Sequence, residues 1–222
     1  MIENSVNDGD DVVGSASLQR GGRQKVHVIA CGALAREILA VARMNGLDHI
    51  ELTCLPAIWH ATPEKIAPGV EQAIAEARAA GAARVFVAYA DCGTGGLLDT
   101  VLAREGIERL SGPHCYSFFS GNDAFAARED DVTTFFLTDF LARQFEAFVI
   151  EPLGLDRHPE LRDLYFGNYE KLVYLSQQED PELQVKAREA AARLGLAYEY
   201  RFTGYGDLQH ELKALAAPKT DG

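Results

Sequence analysis

Arg84-Val85-Phe86-Val87-Ala88-Tyr89-Ala90-Asp91-Cys92-Gly93-Thr94-Gly95-Gly96 is the stretch that decides the fold. Residues 84–90 form the most continuously apolar run in the chain, which suits a central strand covered on both faces. The glycines that follow end the strand, and residues 97–105 take up helical spacing. Strand, glycine turn and helix are the first parts of a parallel crossover unit.

Working outward, the same order recurs. Val26-His27-Val28-Ile29-Ala30 reads as a strand, followed by a helix over 33–45 that Gly46 stops. Residues 50–55 read as a second strand, and a helix over 69–80 is opened by Pro68 and ended by Gly81. Further along, strands are expected at 107–110, 133–137, 171–175 and 198–202. Helices are expected at 121–128, 139–149 (capped by Thr138), 159–166, 181–194 and 207–216. This alternation predicts an α/β fold: a single doubly wound, Rossmann-like domain over 24–217 with a mostly parallel sheet. The polar, glycine-rich stretch 1–23 reads as a disordered N-terminal tail and 218–222 as a C-terminal one.

Composition narrows the function. Of 222 residues 47% are apolar and 24% charged, values at which a sizeable core can be buried. Basic residues number 21 and acidic ones 33, a net charge of −12 that opposes binding to nucleic acid or anionic membranes. No apolar run reaches the roughly 18–20 residues of a membrane span, and the N-terminus lacks the pattern of a secretory signal. A cytoplasmic setting is therefore expected, in which the four cysteines stay reduced.

Three of those cysteines follow strand-like runs. Cys31 and Cys92 each precede a glycine, and Cys115 lies in Gly112-Pro113-His114-Cys115-Tyr116. Residues after the strands of a parallel sheet gather at its carboxyl edge, where ligands bind. The three thiols are thus candidate ligands of one metal centre, either zinc with an open fourth position or a 4Fe–4S cluster with one free iron. Helix starts beside Cys31 and Cys92 are expected to favour their thiolates. The blander reading is that all three are small buried residues at strand ends, and Cys54, inside a strand, is read that way.

His114 and Glu37 are candidate proton-transfer groups. His60, after Trp59, reads as a loop residue near the same edge. Gly93, Thr94, Gly95 and Gly96 resemble an anion cradle that could bind the anionic part of a substrate, with Tyr116 as a further substrate contact. The loop has neither the glycine order of a dinucleotide fingerprint nor the ending of a Walker loop. Asp91 could act as a base or orienting group, while Asp99 is expected to face solvent.

At these residues the chain resembles DUF1638, a bacterial and archaeal domain family of unknown function. The likeness rests on Ala-Cys-Gly-Ala-Leu at 30–34 with Glu37, on Tyr-Ala-Asp-Cys-Gly-Thr-Gly-Gly at 89–96 and on Gly-Pro-His-Cys-Tyr at 112–116, within about 26–208. The resemblance implies a link to corrinoid-dependent methyl transfer and one-carbon or methylamine metabolism. The resulting expectation is a metal-dependent transferase or lyase, or an accessory protein, acting on a small molecule. The alternatives are a non-enzymatic partner of a corrinoid protein and a metal-free phosphate- or nucleotide-binding domain.

Overall fold

A computed structural model describes residues 15–17, 25–128 and 131–215. The chain is α/β, as its pattern predicts, and its parallel strands fall into two sheets. Each sheet belongs to a compact unit of its own: one comprises the residues up to Cys115 and those from Leu208 onward, the other Tyr116–Asp207. Apart from Ser15–Ser17, the expected N-terminal tail lies outside the described residues, as does the expected C-terminal one.

The first unit contains β1 (Ser15–Ser17), β2 (Val26–Cys31), α1 (Ala35–Met44), β3 (Ile50–Leu55), α2 (Ile66–Ala79), β4 (Arg84–Ala88) and α3 (Leu97–Glu105). The sheet order is β1-β3-β2-β4. β3 and β4 run parallel to β2 on either side, and β1 lies antiparallel on β3. The central β2 is buried along almost its whole length, as a strand covered on both faces must be. In β3 buried and half-buried residues alternate. Helix α2 packs on β2, β3 and β4.

The helix expected at 69–80 starts earlier, at Ile66. Pro68 then lies in its first turn, where its missing N–H has no intrahelical acceptor to lose. The strand expected at 107–110 is reduced to a parallel bridge between Val87 and Arg109. Two hydrogen bonds flank it, Val87 N to Glu108 O (3.1 Å) and Leu110 N to Val87 O (3.0 Å).

The second unit contains β5 (Thr134–Thr138), α6 (Asp139–Arg143), α7 (Arg162–Phe166), β6 (Lys171–Ser176), α8 (Pro181–Leu194) and β7 (Ala197–Phe202). Two short helices precede them, α4 (Cys115–Ser120) and α5 (Asn122–Ala126); α9 (Gly206–Ala214) belongs mostly to the first unit, which resumes at Leu208. The sheet is all parallel in the order β5-β6-β7. One face buries Leu137, Leu172 and Tyr174 with Leu183, Ala187 and Ala190 of α8. The other buries Phe136, Val173 and Leu175 beneath Tyr116 and Phe125.

Helix α8 has the expected bounds because both ends are coded locally. The Asp180 carboxylate accepts from the amides of Glu182 (3.0 Å) and Leu183 (3.2 Å), and Gly195 closes the helix at φ 65°. The helix expected at 139–149 instead breaks after Arg143 and resumes as a π-helical turn, Glu146–Ile150. The wider turn lets Phe145, Val149 and Ile150 all reach the core.

Candidate functional site

Three adjacent strands of the first sheet run into short segments that together build its carboxyl edge. β2 ends in Cys31, in register with Leu55 at the end of β3. The chain after β3 forms two short 3-10 turns, Ala57–Ala61 and Pro63–Lys65. The Trp59 ring packs against α2 at Gly69: a Cβ there would stand 2.2 Å from the ring. That contact anchors the turn carrying His60, whose Nε2 lies 3.4 Å from Cys31 Sγ. Pro63 reaches the loop after β4, 3.8 Å from where a Cβ on Gly93 would be.

In that loop Asp91 and Cys92 donate their amides to Gly112 O (3.2 Å) and Pro113 O (2.9 Å). The segment leading to His114 and Cys115 thereby lies along the Cys92 segment. Cys92 itself has φ 51°, the one positive φ outside glycine among the described residues. Such a conformation costs of order 1–2 kcal/mol for a side-chain-bearing residue.

Electrostatics at this edge differ from the sequence expectation. The pattern predicts that helix starts favour the thiolates, but desolvation outweighs them. Burial pushes the Cys31 thiol up to about 12 despite a backbone hydrogen bond from Ala33. It likewise takes Cys54 to about 12 and Cys92 to about 11. Cys92 acts on Cys31 more strongly than Cys54 does. Desolvation lowers the pKa of His60 although more than a third of its surface faces solvent, so the imidazole beside the Cys31 thiol favours its neutral form. The Tyr89 side chain is buried beside Cys31. Its ionisation is strongly disfavoured, first by burial and then by the surrounding thiols.

The glycine loop holds an anion of its own. The Asp91 carboxylate accepts from Thr94 Oγ1 (2.8 Å) and Gly96 N (3.1 Å). Thr94, with smaller contributions from the amides of Gly96, Gly95 and Gly93, lowers its pKa. Two donors of the loop expected to bind a substrate anion, the Thr94 hydroxyl and the Gly96 amide, are thereby engaged from within the chain. Next to it the Arg109 guanidinium clasps Asp99 through Nε (2.6 Å) and Nη2 (3.0 Å) and donates to Leu110 O (2.7 Å). Asp99 is exposed, as expected, and is in addition paired with Arg109.

The remaining candidates divide. Glu37 is buried on α1, at 2% exposure. His114 is half-buried, and desolvation lowers its pKa. Cys115 opens α4. Tyr116 belongs to the second unit, where its ring stacks on Phe136 at 5.5 Å. Among the described residues no three His, Cys, Asp or Glu side chains form a group that could hold a metal ion. Cys31, Cys92 and Cys115 are therefore not a ready-made ligand set, and the contact in place is the Cys31–His60 pair. Sequence reasoning places His60 near this edge but not against Cys31, because residues 29 apart carry no spacing signature.

A family model described as a protein of unknown function, DUF1638, matches residues 54–212. The chain belongs to this family. The DUF1638 match takes in Cys54, His60, Cys92, His114 and Cys115, and begins after Cys31 and Glu37. No curated protein and no solved structure matches the chain. Among the described residues no helix is long and apolar enough to cross a membrane.

Proposed function

We propose that this DUF1638 chain is a metal-dependent enzyme or accessory protein whose ion is held at the carboxyl edge of the first sheet. Cys31 and His60 are the two donors already in contact, and Cys92 and Cys115, on the adjoining segments, are the thiols that would have to close on the ion to complete its shell. The observation that carries the reading is the Cys31–His60 contact. Zinc–sulfur and zinc–nitrogen bonds near 2.3 and 2.0–2.1 Å at a tetrahedral angle subtend an S···N edge of about 3.6 Å. The separation here is 3.4 Å. Ligands on different irons of a 4Fe–4S cluster stand roughly 6–7 Å apart, so a single ion is favoured over a cluster.

A thiol held neutral by burial is a poor nucleophile, which argues against unaided cysteine catalysis. A metal held by Cys31 and His60 would supply what the neutral thiol lacks, a stabilised thiolate in place of the thiol and its proton. The chain's own residues do the rest. Tyr89 is buried beside Cys31, Trp59 fixes the His60 turn on α2, and Asp91 rigidifies the loop that presents Cys92. A thiol or methylated small molecule is the proposed substrate, with a corrinoid protein as the proposed methyl-transfer partner. Metal-free phosphate or nucleotide binding is disfavoured because Asp91 already engages the Thr94 hydroxyl and the Gly96 amide of the loop.

The test is metal analysis of the anaerobically purified full chain. It is expected to carry close to one equivalent of zinc, to lose it on Cys31→Ser or His60→Ala, and to keep it on Cys54→Ser. Less than about a tenth of an equivalent, both as purified and after incubation with zinc, would sink the proposal.

A further inference from the structure

β7 closes one side of the second sheet, and its backbone alternates. Ala197 donates its amide to Glu170 O (3.1 Å) and Thr203 donates to Ser176 O (2.9 Å). In a parallel ladder in this register, Ala197, Glu199 and Arg201 turn their N–H and C=O groups toward β6. Tyr198, Tyr200 and Phe202 turn theirs outward. Among the described residues β6 is the only strand beside β7, and no other backbone group bonds the outward ones. Tyr200 is 36% exposed and Phe202 56%. A row of unpaired backbone groups beside exposed aromatic side chains is a template for another strand.

The side chains specify which strand. Glu199 accepts from Lys171 (2.9 Å) and from Arg201, and Arg201 clasps Asp131 through two nitrogens at 2.8 and 2.9 Å. The strand thus carries one acid and one base, symmetrically placed about Tyr200.

We propose that β7 pairs antiparallel with β7 of a second copy of this chain, about a twofold axis passing by Tyr200. Tyr200 then faces its own copy and Tyr198 faces Phe202, and these opposed pairs exchange both hydrogen bonds through the outward groups. Glu199 faces Arg201 on both sides of the axis, as an isologous interface requires. A slip of one residue opposes outward groups with inward ones and forfeits the hydrogen bonds. A slip of two sets Glu199 against Glu199 or Arg201 against Arg201. Only the register centred on Tyr200 satisfies both backbone and charge. The joined sheet has the order β5-β6-β7-β7-β6-β5, a common size for a sheet. A single strand pair buries less than the roughly 1,200 Å² of a standard interface, so the dimer is reversible and concentration-dependent.

Sedimentation velocity across a concentration series, combined with oxidative cross-linking, tests this. In the proposed register the two Tyr200 Cα atoms are about 5.5 Å apart, within the roughly 4.4–6.8 Å that a disulfide spans. Tyr200→Cys is expected to give a covalent dimer whose cross-linked peptide joins residue 200 to residue 200 by mass spectrometry. Glu199→Cys should give little of the matching product, because residue 199 faces residue 201. Glu199→Arg opposes like charges twice and is expected to weaken dimerisation at least about tenfold while the chain stays folded. A chain that stays monomeric to about 100 µM would overturn the proposal, as would a dimer that Glu199→Arg leaves unchanged and that does not cross-link at residue 200.

Discussion

Gly69→Ala tests how the candidate site is held in place. In the middle of a helix this substitution ordinarily stabilises by about 1 kcal/mol, because alanine loses less backbone entropy than glycine. Here the added Cβ would stand 2.2 Å from Cζ3 and 2.6 Å from Cη2 of Trp59. Carbon atoms rest at about 3.5–4.0 Å, so the ring must retreat by at least ~1.3 Å. Overpacking of that order costs about 1–3 kcal/mol, which offsets the propensity gain and leaves a net loss of up to ~2 kcal/mol. His60 adjoins Trp59, so the retreat also opens the 3.4 Å contact to Cys31. Urea denaturation of the wild type, Gly69→Ala, Trp59→Ala and the double variant measures the coupling directly. Gly69→Ala is expected to destabilise the wild-type background and to stabilise the Trp59→Ala background, and zinc content should fall with the first change. The same sign in both backgrounds would refute the reasoning.

Two further predictions concern buried carboxyl groups of the second unit. Asp139 is fully buried, and its Oδ1 accepts from Tyr174 Oη (2.7 Å) and Gln177 N (3.1 Å). Asp139→Ala orphans both donors and is expected to cost about 2–4 kcal/mol, whereas Asp139→Asn keeps the acceptor and should cost within about 1 kcal/mol by the same denaturation assay. Burial raises the Asp139 pKa, so its contribution to stability is greatest in acid and declines as pH rises through the folded value; Asp139→Asn should remove that decline. Asp131 behaves oppositely. The Arg201 guanidinium holds its carboxyl below the ordinary range, so its contribution is present at neutral pH and is lost as pH falls through the folded value. Asp131→Asn is therefore expected to destabilise at pH 7 by about 1–3 kcal/mol, with the difference from wild type shrinking below about pH 4 in thermal melts across pH.

Much of the local structure is legible in the sequence. Leu97–Glu105 and Pro181–Leu194 have the bounds their terminal residues announce, because glycine stops and an Asp–Pro start act within one turn. The parallel α/β character is equally plain in the alternation of runs. The partition into two sheets is not, since an apolar run says that a strand exists and is silent on its neighbour. The break in the helix after Arg143 depends on fitting Phe145, Val149 and Ile150 into one core, which no local signal encodes. At the site the sequence identifies the edge and its thiols but not their protonation, because burial decides that and depends on tertiary packing. The role of Asp91 is accessible in principle: an Asp three residues before a Thr, with glycines between and after, is a recipe for a side chain that folds back on its own turn.

That turn has a consequence for selectivity. Nucleotides and sugar phosphates are among the most abundant solutes a protein meets, and an open nest of amides would be saturated by them. With the carboxylate of Asp91 already seated there, such compounds would have to evict a covalently tethered competitor whose effective concentration they cannot match.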